Sequence, residues 1–313
     1  MLMKEILFKE LIKKGHSVEN SVNIWDISDR SFRYINKEMA EAYLRLSEHP
    51  RYKAIVIDIE KKLLKENIKS FIKCVSDCEF NLIDMGTTNG EKAIAIIKEL
   101  PQEIKLRYCP INVNEYLVKL ALENVKKENF LNIIDYASRI SKDFKSLDEI
   151  GAALRNNKYQ KNVFLLLGSL LASFDINDYL FNLSRSMLPG DVLLIGNGIR
   201  KGERFANLET YKHPLFNEWL IYLMKELGFK DKEVEYNARF AHNRLEAYYK
   251  IKVNKTIEQK NKKVQLEKGD EIIVAFQYKL YADELRDFCD MYFDNVELIK
   301  DPEEEYALVF CKR

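Results

Sequence analysis

The sequence predicts an α/β fold, a parallel sheet with helices on both faces, joined to a second region of mixed α and β character. Three observations predict it. Largely apolar runs, such as Leu82 to Met85 with its one acid and Val163 to Leu167, alternate with helical patterns, as strands buried on both faces do. The stretch Asn81-Leu-Ile-Asp-Met-Gly-Thr-Thr-Asn-Gly-Glu-Lys92 reads as a strand ending in an acid, a glycine-containing turn and a helix start. That is the first strand–loop–helix of a doubly wound, nucleotide-binding sheet. After about residue 200 the character changes, and strand patterns rich in Tyr and Arg take over.

The elements follow in order. Residues 1 to about 72 read as mostly helical, because Ile6, Leu7, Leu11 and Ile12 recur at helical spacing, as do Ile55, Ile59, Leu63 and Leu64. His49-Pro50 breaks that region between two helices. A strand over Leu82 to Met85 leads to a helix over Glu91 to Leu100, then a strand over Ile104 to Tyr108 and a helix over Glu115 to Lys127. Ile133 and Ile134 mark a third strand, Val163 to Leu167 a fourth, and a helix follows Asp175. Pro189-Gly190 turns the chain into a strand over Val192 to Ile195. Beyond it, a helix from Phe216 to Leu227 stops at Gly228, a natural residue to follow a helix end. Glu235 to Val253 reads as strand, Asn254 to Gly269 as a polar hairpin loop, and Asp270 to Gln277 as strand. Ala282 to Tyr292 is a helix and Tyr306 to Cys311 a closing strand.

Composition narrows the function. The chain has 313 residues, 32% of them charged, with a net charge of +1. The electrostatic footprint of a nucleic-acid binder is missing, and the Lys260 to Lys263 run reads as solvated loop. Five scattered cysteines, Cys74, Cys78, Cys109, Cys289 and Cys311, read as reduced thiols. The four histidines show no metal-binding spacing, so no metal is expected. No apolar run reaches membrane-spanning length and no signal-peptide core is present, so a cytoplasmic enzyme with no membrane partner is the default expectation. The oligomeric state is not encoded in any legible pattern.

The loop itself limits the ligand. Its skeleton is Asp84-x-Gly86-x-Thr88-x-Gly90, without the Gly-Lys-Ser/Thr of a phosphate cradle. Glycine lets the backbone approach a ligand, and Asp84 at the strand end can hold polar groups. This pattern suits S-adenosylmethionine (SAM), which carries a cationic sulfonium and no phosphate. A dinucleotide enzyme is disfavoured, because a full Gly-x-Gly-x-x-Gly is absent.

The order of these pieces resembles the histidine-specific SAM-dependent methyltransferase family, over most of the chain. Met85-Gly-Thr-Thr-Asn-Gly-Glu-Lys92 looks like the family's Gly-Ser-Gly-Thr-Ser-Glu-Lys loop. Tyr108-Cys-Pro-Ile-Asn-Val-Asn-Glu115 looks like its Val-Pro-Val-Asp-Ile-Ser-Glu segment, and Leu166-Leu-Gly-Ser-Leu-Leu-Ala-Ser-Phe174 like its Leu-Gly-Ser-Thr-Ile-Gly-Asn-Phe motif. Asp143-Phe144 sits where the family has an Asp-Phe pair, and Pro189-Gly190-Asp191 before an apolar strand also matches. The resemblance implies a Rossmann-like, class I SAM-dependent methyltransferase sheet over 62–200 and 279–313, with a second α+β substrate domain over 1–61 and 201–278. In such a sheet the closing strand–helix–turn–strand adds the last antiparallel hairpin.

Residue by residue, the resemblance implies cofactor contacts at Tyr34, Asp84, Gly86, Thr87, Lys92, Asn112, Asp143, Phe144 and Gly168. Tyr34 would lie near the amino-acid moiety, and Asp143 and Phe144 beside adenine. Asn112 replaces the family's acid at the end of the second strand, where an acid accepts both ribose hydroxyls. The acceptor positions depart more. Ser173 stands for an asparagine that grips the substrate amino acid, Ala275 and Gln277 for a substrate-contacting glutamate and serine, and Ala247 for a methionine. Tyr52 and Tyr211 match tyrosines that orient the acceptor.

A buried imidazole needs hydrogen-bond partners, and Ala275 offers none. Two alanines in place of long side chains imply a larger, less polar pocket. The expectation is N-methylation of a small-molecule amine or amino-acid derivative other than histidine. The catalytic residue is unknown, because a neutral amine needs positioning more than a dedicated triad. Two alternatives stand: a SAM-binding protein without methyl transfer, distinguished by binding without turnover, and a protein methyltransferase, which needs an open cleft. A tRNA substrate is disfavoured by the near-neutral charge.

Overall fold

The computed structural model describes residues 3–75, 78–140, 147–202, 204–205 and 208–313. The apolar runs become strands β3 (Phe80–Met85), β4 (Leu106–Asn112), β7 (Lys161–Leu166) and β8 (Val192–Gly198), each buried along its whole length. With β5 (Ile133–Tyr136), β16 (Asn295–Lys300) and β17 (Tyr306–Lys312) they form one sheet in the order β16-β17-β8-β7-β3-β4-β5, and the short β6 (Arg139–Ile140) pairs with β4. β3 runs parallel to both β4 and β7, with Asp84 level with Pro110 on one side and Leu165 on the other. The strand order reverses between β3 and β7, so ligand-binding loops belong at the carboxyl ends of these two strands.

Helices cover this sheet. The run α3 (Pro50–Tyr52), a wider π turn over Lys53–Asp58 and α4 (Ile59–Glu66) is followed by α5 (Ile68–Val75). Together with α6 (Glu91–Glu99) they bury Leu63, Leu64, Phe71, Ile96 and Ile97 against Leu82, Leu165 and Leu194 of the strands. Each such side chain contributes about 1.5–3 kcal/mol of transfer free energy. The helices α7 (Glu115–Lys127), α8 (Leu147–Leu154), α9 (Ile176–Ser186) and α12 (Ala282–Asp290) complete the α/β alternation. Asn114 caps α7 by accepting from the Tyr116 and Leu117 amides. A short hairpin, β9 (Arg200–Lys201) with β10 (Arg204–Phe205), follows β8.

The chain divides into two compact units, 1–46 with 207–278, and 47–206 with 279–313. The parallel sheet lies in the second. Residues 47–61, grouped from sequence with the other region, belong with the parallel sheet, because the helix that carries them packs Leu63 and Leu64 into its core. In the first unit, β1 (His16–Glu19), β2 (Val22–Asp26), β11 (Val234–Ala241), β12 (Arg244–Ile251) and β15 (Glu271–Tyr278) form a sheet in the order β1-β2-β15-β12-β11. This unit also holds α1 (Met3–Lys14), α2 (Lys37–Glu48) to residue 46, α10 (Leu208–Tyr211), α11 (Pro214–Glu226) and the hairpin β13 (Lys255–Gln259) with β14 (Lys262–Leu266).

Three readings of secondary structure change. Residues 16–26 are a β-hairpin and not helix, turning through Asn20 and Ser21 at φ 49° and 65°. The 235–253 segment is two strands, turning at His242 and Asn243 at φ 53° and 58°. Two left-handed residues match the twist of the flanking strands, and Asn tolerates that region. Finally, β17 runs antiparallel to both β16 and β8, while β15 pairs with β12 and β2 in the other sheet.

Candidate active site

The loop after β3 is built from backbone. Gly86 sits at φ 67°, and a Cβ placed on it would lie 2.9 Å from Leu170 Cδ2. The left-handed backbone favours glycine, and a Cβ there would force the Leu170 tip to shift. The Gly86 and Thr87 amides donate to the Ile111 carbonyl at 2.8 and 3.2 Å, which ties the loop to the end of β4. Gly90, at φ 78°, opens α6. Asp84 is buried and accepts from the Tyr108 hydroxyl at 2.8 Å. Burial raises its carboxyl above the usual carboxylate range, against the lowering effect of the Thr87 and Tyr108 hydroxyls and of Lys92.

The carboxyl edge of β7 and β8 carries a charged cluster that the sequence did not announce. Glu60, from α4, is 0% exposed. Its Oε1 accepts from the Gly168 amide at 2.8 Å and from the Tyr306 hydroxyl at 2.6 Å, and its Oε2 pairs with Lys92. Glycines make room for these side chains. A Cβ on Gly168 would lie 2.5 Å from Lys92 Nζ, one on Gly196 1.8 Å from Glu60 Oε1, and one on Gly198 3.3 Å from Lys279 Nζ. Ser169, left-handed at φ 55°, accepts from the Gly198 amide at 2.8 Å. Burial pushes the Lys279 ammonium down to about 8. A helical glutamate reads as surface from sequence; the one signal for Glu60 was its place on the apolar stripe of α4, level with Leu63 and Leu64.

Asn112 closes this edge at the end of β4 and is 2% exposed. Its Nδ2 donates to the Thr87 carbonyl at 2.6 Å, and its Oδ1 accepts from the Asn114 amide at 3.0 Å. Ser173 is buried in a 3₁₀ turn over Leu171–Ser173 that continues the Gly168 loop. Tyr52 lies buried in α3 of the same unit. The structure therefore gathers Asp84 and Asn112 at strand ends, Gly86, Thr87 and Gly168 in loops and Lys92 at the start of α6, all at one sheet edge. Asp143 and Phe144 lie outside the described residues.

The remaining candidates belong to the first unit. Tyr34 is buried in a 3₁₀ turn, edge-on to Tyr43 at 5.2 Å and tilted against Trp219 at 5.6 Å. Burial raises its phenol well above the ordinary value. Ala247 and Ala275 are direct cross-strand partners of β12 and β15, and Ala238 of β11 pairs with Ala247. Gln277, two residues along β15, accepts from the Tyr211 hydroxyl at 3.0 Å. The Tyr211 carbonyl accepts from the Tyr236 hydroxyl at 2.7 Å. Burial pushes the Tyr211 phenol up to about 12.

Among the described residues, no helix is long and apolar enough to cross a membrane, and no group of three His, Cys, Asp or Glu could hold a metal ion. No curated protein matches the chain. Among solved structures, a SAM-dependent methyltransferase from Clostridium acetobutylicum is similar, with a TM-score of 0.47, 10% identity, and coverage of 87% of this chain and 98% of that one. A Pyrococcus horikoshii protein is similar at a TM-score of 0.45 and 9% identity, with coverage of 87% and 98%. The family described as histidine-specific methyltransferase, SAM-dependent, matches residues 40–313. With that match spanning most of its length, the chain belongs to the histidine-specific SAM-dependent methyltransferase family and is a methyltransferase that uses S-adenosylmethionine as methyl donor.

Proposed function

We propose that this enzyme methylates a nitrogen of a small amine or amino-acid derivative other than histidine. The observation that carries the reading is the pairing of Ala247 with Ala275 on adjacent strands. Neither methyl group can donate or accept a hydrogen bond, so an imidazole held there loses partners it has in water, at a cost of about 1–3 kcal/mol for each unsatisfied group. The Gln277 Oε1 is already engaged by Tyr211. Small apolar neighbours favour a bulkier, more aromatic acceptor, with Tyr211 orienting it.

The residues at the sheet edge fit SAM. The space where a side chain at Gly168 would stand is filled by Lys92 Nζ. In this reading the unit with the parallel sheet holds the cofactor through Asp84, Gly86, Thr87, Lys92 and Gly168, and Asp143 and Phe144 serve the adenine. SAM supplies an activated methyl on a sulfonium. The protein's own task is to hold a neutral amine, keep water out and let a proton leave. The first unit supplies acceptor determinants at Ala247, Ala275 and Gln277.

Calorimetric titration with SAM and S-adenosylhomocysteine, alone and with histidine or tryptophan present, tests the reading. Cofactor binding that tryptophan tightens and histidine does not is the expected result. Tightening by histidine alone overturns the acceptor assignment. Absence of binding by either cofactor form overturns the site.

A further inference from the structure

We infer that residue 112 has changed trade: Asn112 is a clamp on the glycine loop and does not grip the cofactor ribose, so this enzyme discriminates weakly at the ribose hydroxyls. The inference rests on the cofactor placement proposed above. In doubly wound folds an acid at the end of the second strand accepts from the ribose diol. The side chain at that position here is an amide, bonded to protein at both ends and only 2% exposed, so its second amide hydrogen and second lone pair have almost no surface to offer a ligand. Nδ2 donates to the Thr87 carbonyl at 2.6 Å and Oδ1 accepts from the Asn114 amide at 3.0 Å. The neighbouring residues do not replace it. The Asn114 side chain accepts from the Tyr116 and Leu117 amides at the start of α7, and Glu115 faces Lys119 one turn along that helix.

Chemistry explains why the amide points inward. A carboxylate has no proton to donate. Placed where Asn112 lies, its oxygen would meet the Thr87 carbonyl oxygen at hydrogen-bond distance, and it would have to swing outward, which is where a ribose-binding acid is needed. The amide does the reverse. It adds a third bond to the two that already tie Gly86 and Thr87 to the Ile111 carbonyl. The loop is therefore held in shape before ligand arrives, at the cost of the ribose contact.

The test is calorimetric binding of S-adenosylhomocysteine and of its 2′-deoxy and 3′-deoxy analogues to the wild-type protein, with Asn112→Asp beside it. A hydrogen bond to a charged group is worth about tenfold or more in affinity. Both deoxy analogues should bind wild type within about tenfold of the parent. In N112D, whose acid swings outward, the deoxy analogues should bind more than about tenfold worse than the parent, and the variant should melt about 2–8 °C lower because the clamp is lost. Loss of more than about tenfold in wild type on removing either hydroxyl overturns the inference, as does an N112D that binds the deoxy analogues as well as the parent. The wild-type arm decides the matter even if N112D does not fold. Failure of S-adenosylhomocysteine itself to bind is a different result: it removes the cofactor site and this inference with it.

Discussion

The carboxyl edge of the parallel sheet and the alanine row of the five-stranded sheet solve opposite problems. At the first, Gly168, Gly196 and Gly198 give up their side chains so that Lys92, Glu60 and Lys279 can lie over the backbone. At the second, Ala238, Ala247 and Ala275 stand level on three strands with nothing charged among them. Small residues mean different things in the two places. The glycines are filled in by long charged groups from elsewhere in the chain, whereas the alanines present only methyl groups. The first region should be rigid and intolerant of change, the second tolerant and decisive for acceptor choice.

The largest expected effect tests the rigid side. Glu60→Ala leaves the Gly168 amide, the Tyr306 hydroxyl and Lys92 without their shared acceptor. Urea unfolding should show a loss of about 3–5 kcal/mol, the cost of breaking a buried pair from one side. A loss below about 1 kcal/mol would erase the contrast between the two regions. Gly196→Ala should also destabilise, since its Cβ would stand 1.8 Å from Glu60 Oε1.

Next comes Lys279. Its folded value lies at about 8, below the ordinary lysine value of 10.5. The folded state therefore carries a penalty while the lysine is charged, complete below about pH 8 and relieved as pH rises toward 10.5. Lys279→Met should be more stable than wild type near pH 7 by up to about 3 kcal/mol. The gap should shrink between pH 8 and 10, measured as the difference between the two unfolding curves; a gap that does not move with pH contradicts the burial of this charge.

Gly86→Ala should cost about 1–3 kcal/mol, from a left-handed backbone and contact with Leu170. It should also weaken S-adenosylhomocysteine in calorimetry, and unchanged affinity would detach this loop from the cofactor. On the tolerant side, Ala275→Glu should shift acceptor preference toward histidine in a competition assay across amines. No shift would remove Ala275 from the acceptor site. The smallest effect is expected for Tyr211→Phe, which removes one hydrogen bond to Gln277 and about 1 kcal/mol of stability.

Much of the cofactor side was legible. Strands β3, β7 and β8 follow from largely apolar runs, the loop from Gly86 and Gly90, and the end of α11 from Gly228 at φ 87°. The hairpins of the first unit were harder, because their turns use Asn20-Ser21 and His242-Asn243 in place of the familiar Asn-Gly. Asn114 shows its role locally, since a cap bonds to amides two and three residues on.

The sequence by itself determined the parallel sheet, its glycine loop and the family, because buried strands and tight turns leave periodic and local marks. Only the tertiary structure decided that Asn112 faces inward, that Glu60 anchors Gly168 and Lys92, and that Ala247 meets Ala275. Each of these joins side chains and backbone far apart or on different elements of the chain. No local pattern records such a partner, so the choice appears only when the strands and helices have packed.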